Sequence, residues 1–442
     1  MKDCTAGKIR NNNTQQEFRF KEIPSLGGTH EGFVMKPGKV KTEPAIAVMG
    51  TFDSKAEEHS FLKDRIEEKG FRVLTIHVGT KTRSPVPVNL DLYESIRKAD
   101  PSLLENRDTA ITAVLEQAKN QIKGFYQKGE ISGIISAGGG TGTYLCANIM
   151  RELPLGIPKV MVSTVASRDM AQIVGTKDIT MIHTVADLLG INSISGRILD
   201  QAAGAICGMV QGKWSPNGEK KRIALTMFGF ITEAAERIKK YLEEMGYEVI
   251  AFHANGTGGM AMEELAAEGS FHGILDLATH ELADELMGGY CRGIGDERLR
   301  PVPGLPLPRL VVPGGLDCAV LEFTRSSIPE EFENRKIFFY DFRSAIRLNE
   351  DETEFLAKQL AQKLNMDPGN FKLLVPNKGW SEADQVGAPL YDPFMSEKFI
   401  QKLKLAIHKD VTIKQVDLHI NEPAFAREAS RMMDKMIQMK DY

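Results

Sequence analysis

A run of glycine and threonine, Gly138-Gly-Gly-Thr-Gly-Thr143, follows a short apolar segment and precedes a helix-like pattern. Glycine lets the backbone adopt positive φ and lets a ligand approach closely. The start of a helix then offers free N–H groups and a positive dipole end to an anion. The run therefore predicts a phosphate-binding loop between a buried strand and a helix. It matches neither GxGxxG nor GxxxxGK[ST], so a tight strand–helix junction without a ligand is the alternative.

Other polar side chains fall where neighbouring strands of the first half are predicted to end. Ligands bind at the carboxyl ends of strands in open parallel sheets, so these side chains should converge on the glycine loop. We predict that Asp53 and Asp169 hold Mg²⁺ or its waters, and that Lys55 and Arg168 contact phosphates. A helix cap is the alternative role for Asp53, and an exposed helix position is the alternative for Lys55. The whole set is Thr51, Asp53, Lys55, His77, Gly79, Ser163, Thr164, Ser167, Arg168 and Asp169.

The second half carries ionisable groups at its predicted strand ends, where the first half has its glycine run. His253, His280 and Glu281 suit general acid–base work or metal ligation. Asp317 follows a further strand and completes the candidate catalytic set. The spacing of the His-Glu pair to Asp284 does not match a zinc protease. We predict substrate chemistry here, with a purely structural role as the alternative for any one histidine.

The elements that must position these residues repeat along the chain. An apolar strand from Ala45, a helical pattern over 55–69 and a strand over 71–78 form a βαβ unit. Gly70 ends that helix, and Gly246 ends its counterpart in the second half. We interpret this recurrence as an internal duplication. The predicted fold is α/β, with two Rossmann-like domains, each an open, mostly parallel sheet with helices on both faces.

The predicted organisation has four segments. They are a polar N-terminal arm over 1–43 with a short strand near 32–35, a nucleotide-binding domain over 44–212, a linker over 213–222, and a second domain over 223–442. The first domain carries a charged excursion over 81–130 with a helix near 108–128. The second adds helices over 351–365 and 395–409 and a Met-rich helix over 423–442.

Composition excludes several classes of protein. The 442 residues carry a net charge of −4, which does not favour binding to nucleic acid. Five dispersed cysteines without a CxxC pair argue against a disulfide framework or a zinc site and fit a reducing cytosol. We find neither an apolar run of the roughly 20 residues that a membrane helix needs nor an N-terminal apolar signal region. We therefore expect a cytoplasmic protein without a membrane partner.

Several long motifs occur along the chain in a fixed order. They are Gly50-Thr-Phe-Asp-Ser-Lys55, Ala137-Gly-Gly-Gly-Thr-Gly-Thr143, Lys159-Val-Met-Val-Ser-Thr-Val-Ala-Ser167, Asp178-Ile-Thr-Met181, Phe252-His-Ala-Asn-Gly-Thr-Gly-Gly259 and Tyr391-Asp-Pro393. Together they resemble a family of ATP-binding proteins similar to the N-terminal part of the plant tobamovirus-resistance protein. The resemblance covers residues 44 to 410 and implies ATP with Mg²⁺ in the first domain and a homodimer or higher oligomer. The nucleotide contacts that it implies are Gly50, Thr51, Phe52, Asp53, Gly138, Gly139, Gly140, Thr141, Gly142, Thr143, Ser163, Thr164 and Val165.

Two functions follow from these patterns. The first is an ATP-dependent enzyme that acts on a small polar metabolite between the domains, with phosphoryl or nucleotidyl transfer favoured. The second is a nucleotide-regulated interaction module without turnover of a small substrate. A nicotinamide-dependent oxidoreductase also fits the fold. However, Val78 and Gly79 stand where an acidic residue would bind the ribose.

Overall fold

The structure is a computed structural model that describes residues 43–215 and 218–440, together with the backbone of two short strands near the N-terminus. These strands, β1 (Lys21–Ile23) and β2 (His30–Gly32), pair antiparallel. The rest of the predicted arm, including residues 33–35 of its expected strand, lies outside the described residues.

The first domain is built on a six-stranded sheet in the order β5-β4-β3-β6-β7-β8, in which every neighbouring pair is parallel. Its strands are β3 (Ala45–Gly50), β4 (Val73–His77), β5 (Leu90–Asp91), β6 (Ile131–Gly138), β7 (Lys159–Ser163) and β8 (Ile179–His183). Its helices are α1 (Phe52–Glu68), α2 (Leu92–Ala99), α3 (Arg107–Gln127), α4 (Gly140–Met150), α5 (Ala171–Val174) and α6 (Ser195–Val210).

Strand β3 shows why this sheet is covered on both faces. All six of its residues are buried, as expected for a central parallel strand. Successive side chains point to opposite faces. Ala47 and Met49 join a core with residues of α3 and α4, whereas Ile46 and Val48 join a core with residues of α1 and α6. The predicted arrangement of helices on both faces is confirmed.

The second domain repeats the design with a parallel sheet in the order β10-β9-β11-β12-β16-β17. Its strands are β9 (Arg222–Met227), β10 (Glu248–His253), β11 (Gly273–Ala278), β12 (Arg309–Gly314), β16 (Phe371–Pro376) and β17 (Thr412–Val416). Its helices are α7 (Thr232–Glu244), α8 (Thr257–Ala267), α9 (Glu281–Met287), α10 (Glu350–Leu364), α11 (Pro393–Ala406) and α12 (Pro423–Gln438).

The strand orders of the two domains correspond over five strands, because β4-β3-β6-β7-β8 and β10-β9-β11-β12-β16 follow the same path along the chain. This is the topology that a duplication requires. The second domain also contains an antiparallel sheet that the sequence did not predict, formed by β13 (Cys318–Leu321), β14 (Ile337–Phe339) and β15 (Ser344–Arg347). Across the described residues, every helix is too short or too polar to span a bilayer.

Candidate functional site

A cleft of about 610 Å³ opens at the carboxyl ends of the first sheet. Three chain segments form it: the turn between β3 and α1, the glycine loop between β6 and α4, and the segment from residue 80 to the start of α3. The lining residues are Thr51, Asp53, Ser54, Lys55, Thr80, Lys81, Leu104, Arg107, Gly139, Gly140, Thr141, Gly142 and Leu145. The glycine loop is therefore part of the cleft wall, and its binding of phosphate stays a prediction.

Three glycines of this loop have no packing reason to be glycine. A Cβ on Gly140 would meet no atom within 4 Å, and one on Gly139 or Gly142 would lie 3.7 or 3.9 Å from a threonine hydroxyl, which is ordinary contact. None of the three has positive φ. Gly138 differs, because its Cβ would lie 3.1 Å from the backbone of Gly142. The missing side chains at Gly139 and Gly140 thus leave the backbone open to the cleft, and Gly142, although buried, lines the same wall.

The cleft carries an excess of positive charge. Its cations are Lys55, Lys81 and Arg107, and its one lining carboxylate is Asp53. Within the described ranges, none of the three cations has a carboxylate oxygen within 4.0 Å of its nitrogen atoms. The Arg107 guanidinium donates to the hydroxyl of Thr141 at 3.3 Å, and Asp53 accepts the Lys81 backbone N–H at 3.0 Å. Cations without an anionic partner beside open N–H groups have the chemistry that suits an anion.

Buried histidines support the turn between β3 and α1. The Phe52 backbone N–H donates to His77 Nδ1 at 3.1 Å, and His77 Nε2 lies 2.9 Å from the Thr82 carbonyl oxygen. A Cβ on Gly50 would lie 1.7 Å from Nε2 of His59, so only glycine fits there. Burial lowers the pKa of His59 to about 4, which keeps this imidazole neutral. His77, predicted as a crevice residue, is buried, and its two ring nitrogens contact the backbone of Phe52 and of Thr82.

The structure brings together only part of the predicted nucleotide and metal set. Thr51, Asp53 and residues 139–142 line the cleft, but several other predicted contacts are buried: Phe52, Thr143 and Ser163. The Thr143 and Ser163 hydroxyls lie 2.7 Å apart, joining α4 to the end of β7. Ser163 also accepts the Val165 N–H at 3.1 Å, and Thr164 donates its N–H to the Gly138 carbonyl.

Asp169 does not line the cleft. Its carboxylate accepts the Ala171 N–H at 2.9 Å, at the start of α5. Among the described residues, no three histidine, cysteine or acidic side chains gather as metal ligands. The magnesium prediction therefore rests on Asp53, and the role of Asp169 stays a prediction. Lys81 and Arg107 were missed as site residues. Both lie in the charged excursion over 81–130, whose composition was the available signal.

The second domain uses its glycines differently. A Cβ on Gly258 would lie 1.9 Å from the His253 carbonyl oxygen, and one on Gly259 would lie 2.4 Å from a Glu281 oxygen. Glu281 accepts the Gly256 N–H at 2.8 Å, so an internal carboxylate already occupies the N-terminal end of α8. This glycine loop is explained by packing and leaves no comparable opening for an external anion.

Glu281 belongs to a buried ionic network that the sequence did not predict. Its other oxygen accepts from Arg298 at 2.8 Å, and Arg298 also bonds to Asp276 at 2.5 Å. Arg309 donates twice to Glu263, at 2.8 and 2.6 Å. All five side chains are buried, and burial raises the pKa of Glu281 while Arg298 opposes this shift. Two cations therefore pair with three carboxylates inside the domain.

The other predicted catalytic residues are divided between the core and the surface. His280 is buried with its ring stacked on Phe228 at 3.8 Å, and burial lowers its pKa to about 3. Asp317 is buried and accepts from Ser381 at 2.9 Å. Only His253 is exposed at a strand end, and partial burial together with Arg343 lowers its pKa. The catalytic roles of all four residues stay predictions.

Family models match both domains. Residues 44–215 match "Uncharacterised protein family (UPF0261) N-terminal domain", and residues 220–437 match "Uncharacterised protein family (UPF0261) C-terminal domain". The chain belongs to the UPF0261 family. A UPF0261 protein of Clostridium tetani is 37% identical over 403 residues, which cover 89% of this chain and 99% of that protein.

Two further comparisons place this UPF0261 chain among other proteins. The tomato (Solanum lycopersicum) ToMV resistance protein Tm-1(GCR237) is 29% identical over 412 residues, which cover 87% of this chain and 54% of the tomato protein. Among solved structures, a putative UDP-N-acetylglucosamine 2-epimerase from Listeria monocytogenes matches with a TM-score of 0.20 and 9% identity, over 60% of this chain and 79% of that one. A structural likeness this weak carries no inference.

Asp317 gives the second domain a testable pH dependence. Burial raises the pKa of its carboxyl to about 7, whereas an unfolded aspartate titrates near about 3.9. Between these values the folded state keeps a proton that the unfolded state has lost, so this group lowers stability as the pH rises from 4 to 7. We expect Asp317→Asn to become more stable than the wild type by roughly 2–3 kcal/mol as the pH rises from 5 to 8.

Urea unfolding of both proteins at several pH values measures this difference. Asparagine resembles the protonated carboxyl of Asp317. Its oxygen can accept from Ser381, and its N–H₂ takes the place of the oxygen that has no hydrogen-bond partner among the described residues. The pH profile of the wild type alone does not isolate Asp317, because buried His59 and His280 have lowered pKa values and add stability as the pH rises towards 6.5. The difference between the two proteins at each pH removes this shared contribution. Asp417→Asn, at a side chain 82% exposed, is the control. Parallel profiles for wild type and Asp317→Asn would contradict the prediction.

Proposed function

We propose that the cleft of the first domain binds ATP together with Mg²⁺. The observation that carries this proposal is the glycine loop, in which Gly139, Gly140 and Gly142 are required neither by packing nor by backbone conformation. Removing side chains at such positions has one physical effect here: it lets a ligand reach the backbone N–H groups at the start of α4. A phosphate chain is the ligand that this arrangement suits.

Charge and size support the same ligand. Lys55 lines the cleft near the start of α1, and Lys81 and Arg107 line it at the two ends of the segment from residue 80 to the start of α3. Three cations spaced in this way suit an extended polyanion better than a single phosphate. The cleft volume of about 610 Å³ lies within the range of small-molecule sites. Leu104 and Leu145 supply apolar surface on the same wall.

Asp53 is the residue that would meet the metal. It is the one carboxylate among the cleft-lining residues, and it lies in the first turn of α1, two residues after the N-cap Thr51. Mg²⁺ in nucleotide sites is bound through one or two carboxylates and the phosphates. When bound, the ion would neutralise phosphate charge, and Asp53 would orient it. The Lys81 backbone N–H holds one Asp53 oxygen in place.

The chemistry beyond binding is proposed in two forms. An ATP-dependent enzyme needs a substrate-facing group in the second domain, and the exposed His253 is the member of the predicted set that can meet a small polar substrate. The interaction-module alternative needs no such group. This alternative is favoured because both Glu281 oxygens already accept hydrogen bonds inside the core, so this carboxylate does not face a substrate. ATP turnover in the presence of a panel of sugar acids, keto acids and phosphorylated metabolites separates the two, and loss of turnover in His253→Ala would support the first.

Calorimetric titration tests the binding proposal itself. We expect Mg·ATP to bind the full chain at one site per chain, and Arg107→Gln to weaken this binding about tenfold, as a lost hydrogen bond to a charged group would. Arg97→Gln is the matched control, because Arg97 lies on α2 and pairs with Glu94. Binding of NAD without binding of ATP would overturn the nucleotide assignment.

A further inference from the structure

The loop over residues 185–191, between β8 and α6, is fastened to α1 by three nearby side chains. The Lys55 ammonium donates to the Leu188 carbonyl. Glu58 accepts the Gly190 N–H at 3.0 Å, and Glu57 accepts the Ile191 N–H at 3.2 Å. These contacts join residues more than 130 positions apart in sequence. The position of the 185–191 loop therefore depends on α1, the helix that begins at the cleft.

Lys55 belongs to the cleft and to this loop at once. It lines the cleft, yet the hydrogen-bond partner of its ammonium is the neutral Leu188 carbonyl. Its backbone departs from helical geometry within α1, with φ −138° and ψ 42°, and its carbonyl oxygen lies 2.7 Å from His59 Nδ1. An ammonium bonds more strongly to an anionic oxygen than to a neutral carbonyl. A phosphate in the cleft would therefore compete with Leu188 for Lys55.

The 185–191 loop holds strain in this position. Val185 has φ +62°, which is unfavourable for a β-branched residue, and such conformations cost on the order of 1–3 kcal/mol. Val185 is exposed, so its own side-chain packing does not impose the conformation. Leu188 is buried, whereas Leu189 beside it is 90% exposed. Hydrogen bonds between Thr184 and Ala186 close the turn around Val185. Release of the loop would relieve the strain at Val185 by opening this turn, and it would change the apolar surface that the loop presents.

We propose that Lys55 couples occupancy of the cleft to the 185–191 loop. A phosphate group draws the ammonium away from the Leu188 carbonyl, and the loop loses one of its three fastenings while the strain at Val185 favours release. The cleft then controls an apolar surface formed by Val185, Leu188 and Leu189. This inference rests on the proposed binding of a phosphate ligand. It makes Lys55 a positioning residue that also senses the ligand.

Hydrogen exchange of the full chain, with and without saturating Mg·ATP, tests the coupling. We expect the amides of Gly190 and Ile191 to exchange at least about fivefold faster when Mg·ATP is bound, because local opening sets their exchange. Without ligand, Lys55→Met should already show the faster exchange, and Mg·ATP should add no further change. Lys63→Met is the control: Lys63 lies on the same helix and pairs with Glu67, so this variant should respond as the wild type does.

Val185→Gly provides a second test on an exposed residue. Glycine adopts positive φ without strain, so strain no longer favours release of the loop in this variant. The amides of Gly190 and Ile191 should therefore exchange more slowly than in the wild type, and Mg·ATP should change their exchange rates less. Calorimetry on the same samples separates the two proposals. Heat of ATP binding with unchanged exchange at residues 190 and 191 would overturn the coupling alone. Absence of binding would overturn both the coupling and the proposed function. Exchange in ligand-free Lys55→Met at the wild-type rate would also overturn the coupling.

Discussion

Gly140→Val is expected to weaken Mg·ATP binding at least about a hundredfold, equivalent to roughly 2.7 kcal/mol, while the protein stays folded. Gly140 is the first residue of α4, and its Cβ would point into open space rather than into protein atoms. A branched side chain there would occupy the volume through which a phosphate approaches the backbone. Calorimetry gives the affinity, and urea unfolding gives the stability.

The smaller change Gly140→Ala separates binding from folding more sharply. Alanine is favoured over glycine in a helix by about 0.5–1 kcal/mol, so this variant should be at least as stable as the wild type. Its affinity for Mg·ATP should nevertheless fall about tenfold. Gly208→Ala is the matched control, because Gly208 lies in α6 and its Cβ would also meet nothing within 4 Å. Equal ATP affinity in Gly140→Ala and Gly208→Ala would remove the main support for the proposed cleft.

The alternation of strands and helices could be predicted because each element carries its own signal. Apolar runs of five or six residues marked the central strands, and Gly70 and Gly246, both with positive φ, marked helix ends. The antiparallel sheet of β13, β14 and β15 gave no such signal. Its strands have three or four residues each and lie within long connections, where periodicity is too short to detect.

The position of a backbone feature is easier to predict from sequence than the partner of a side chain. A glycine run between a strand and a helix is visible in the sequence itself, and residues 139–142 do line the cleft. Glu281 looked like a free strand-end carboxylate because Arg298 lies 17 positions away. A usable signal did exist at Arg309 and Lys159. Both are charged residues that begin apolar strands, and both are buried and ion-paired.

Arg298→Met is expected to destabilise the second domain by roughly 3–5 kcal/mol, the usual cost of breaking a buried ion pair by removing one partner. The change leaves Glu281 without a cation, because Arg298 bonds to it. It also removes the charged donor of one Asp276 oxygen, which then accepts only from the Thr226 hydroxyl at 3.2 Å. Arg309 still pairs with Glu263. Urea unfolding followed by tryptophan fluorescence reports on this domain, because Trp380 is buried there and Trp214, the other of the two tryptophans, is 87% exposed.

Arg300→Met is the control for Arg298→Met, since Arg300 lies two residues away and pairs at the surface with Asp296 and Glu297. Arg300→Met should lower the free energy of unfolding by no more than about 0.5 kcal/mol.

Glu281→Gln, made alone, should also destabilise the protein, because its amide N–H₂ would replace a carboxylate oxygen that faces either Arg298 or the Gly256 N–H. In the Arg298→Met protein the same change removes an unpaired buried charge and should restore stability. We therefore expect a coupling of about 1–3 kcal/mol in the double-mutant cycle. Additive costs would show that Glu281 is not held by this network, and its predicted catalytic role would then gain support.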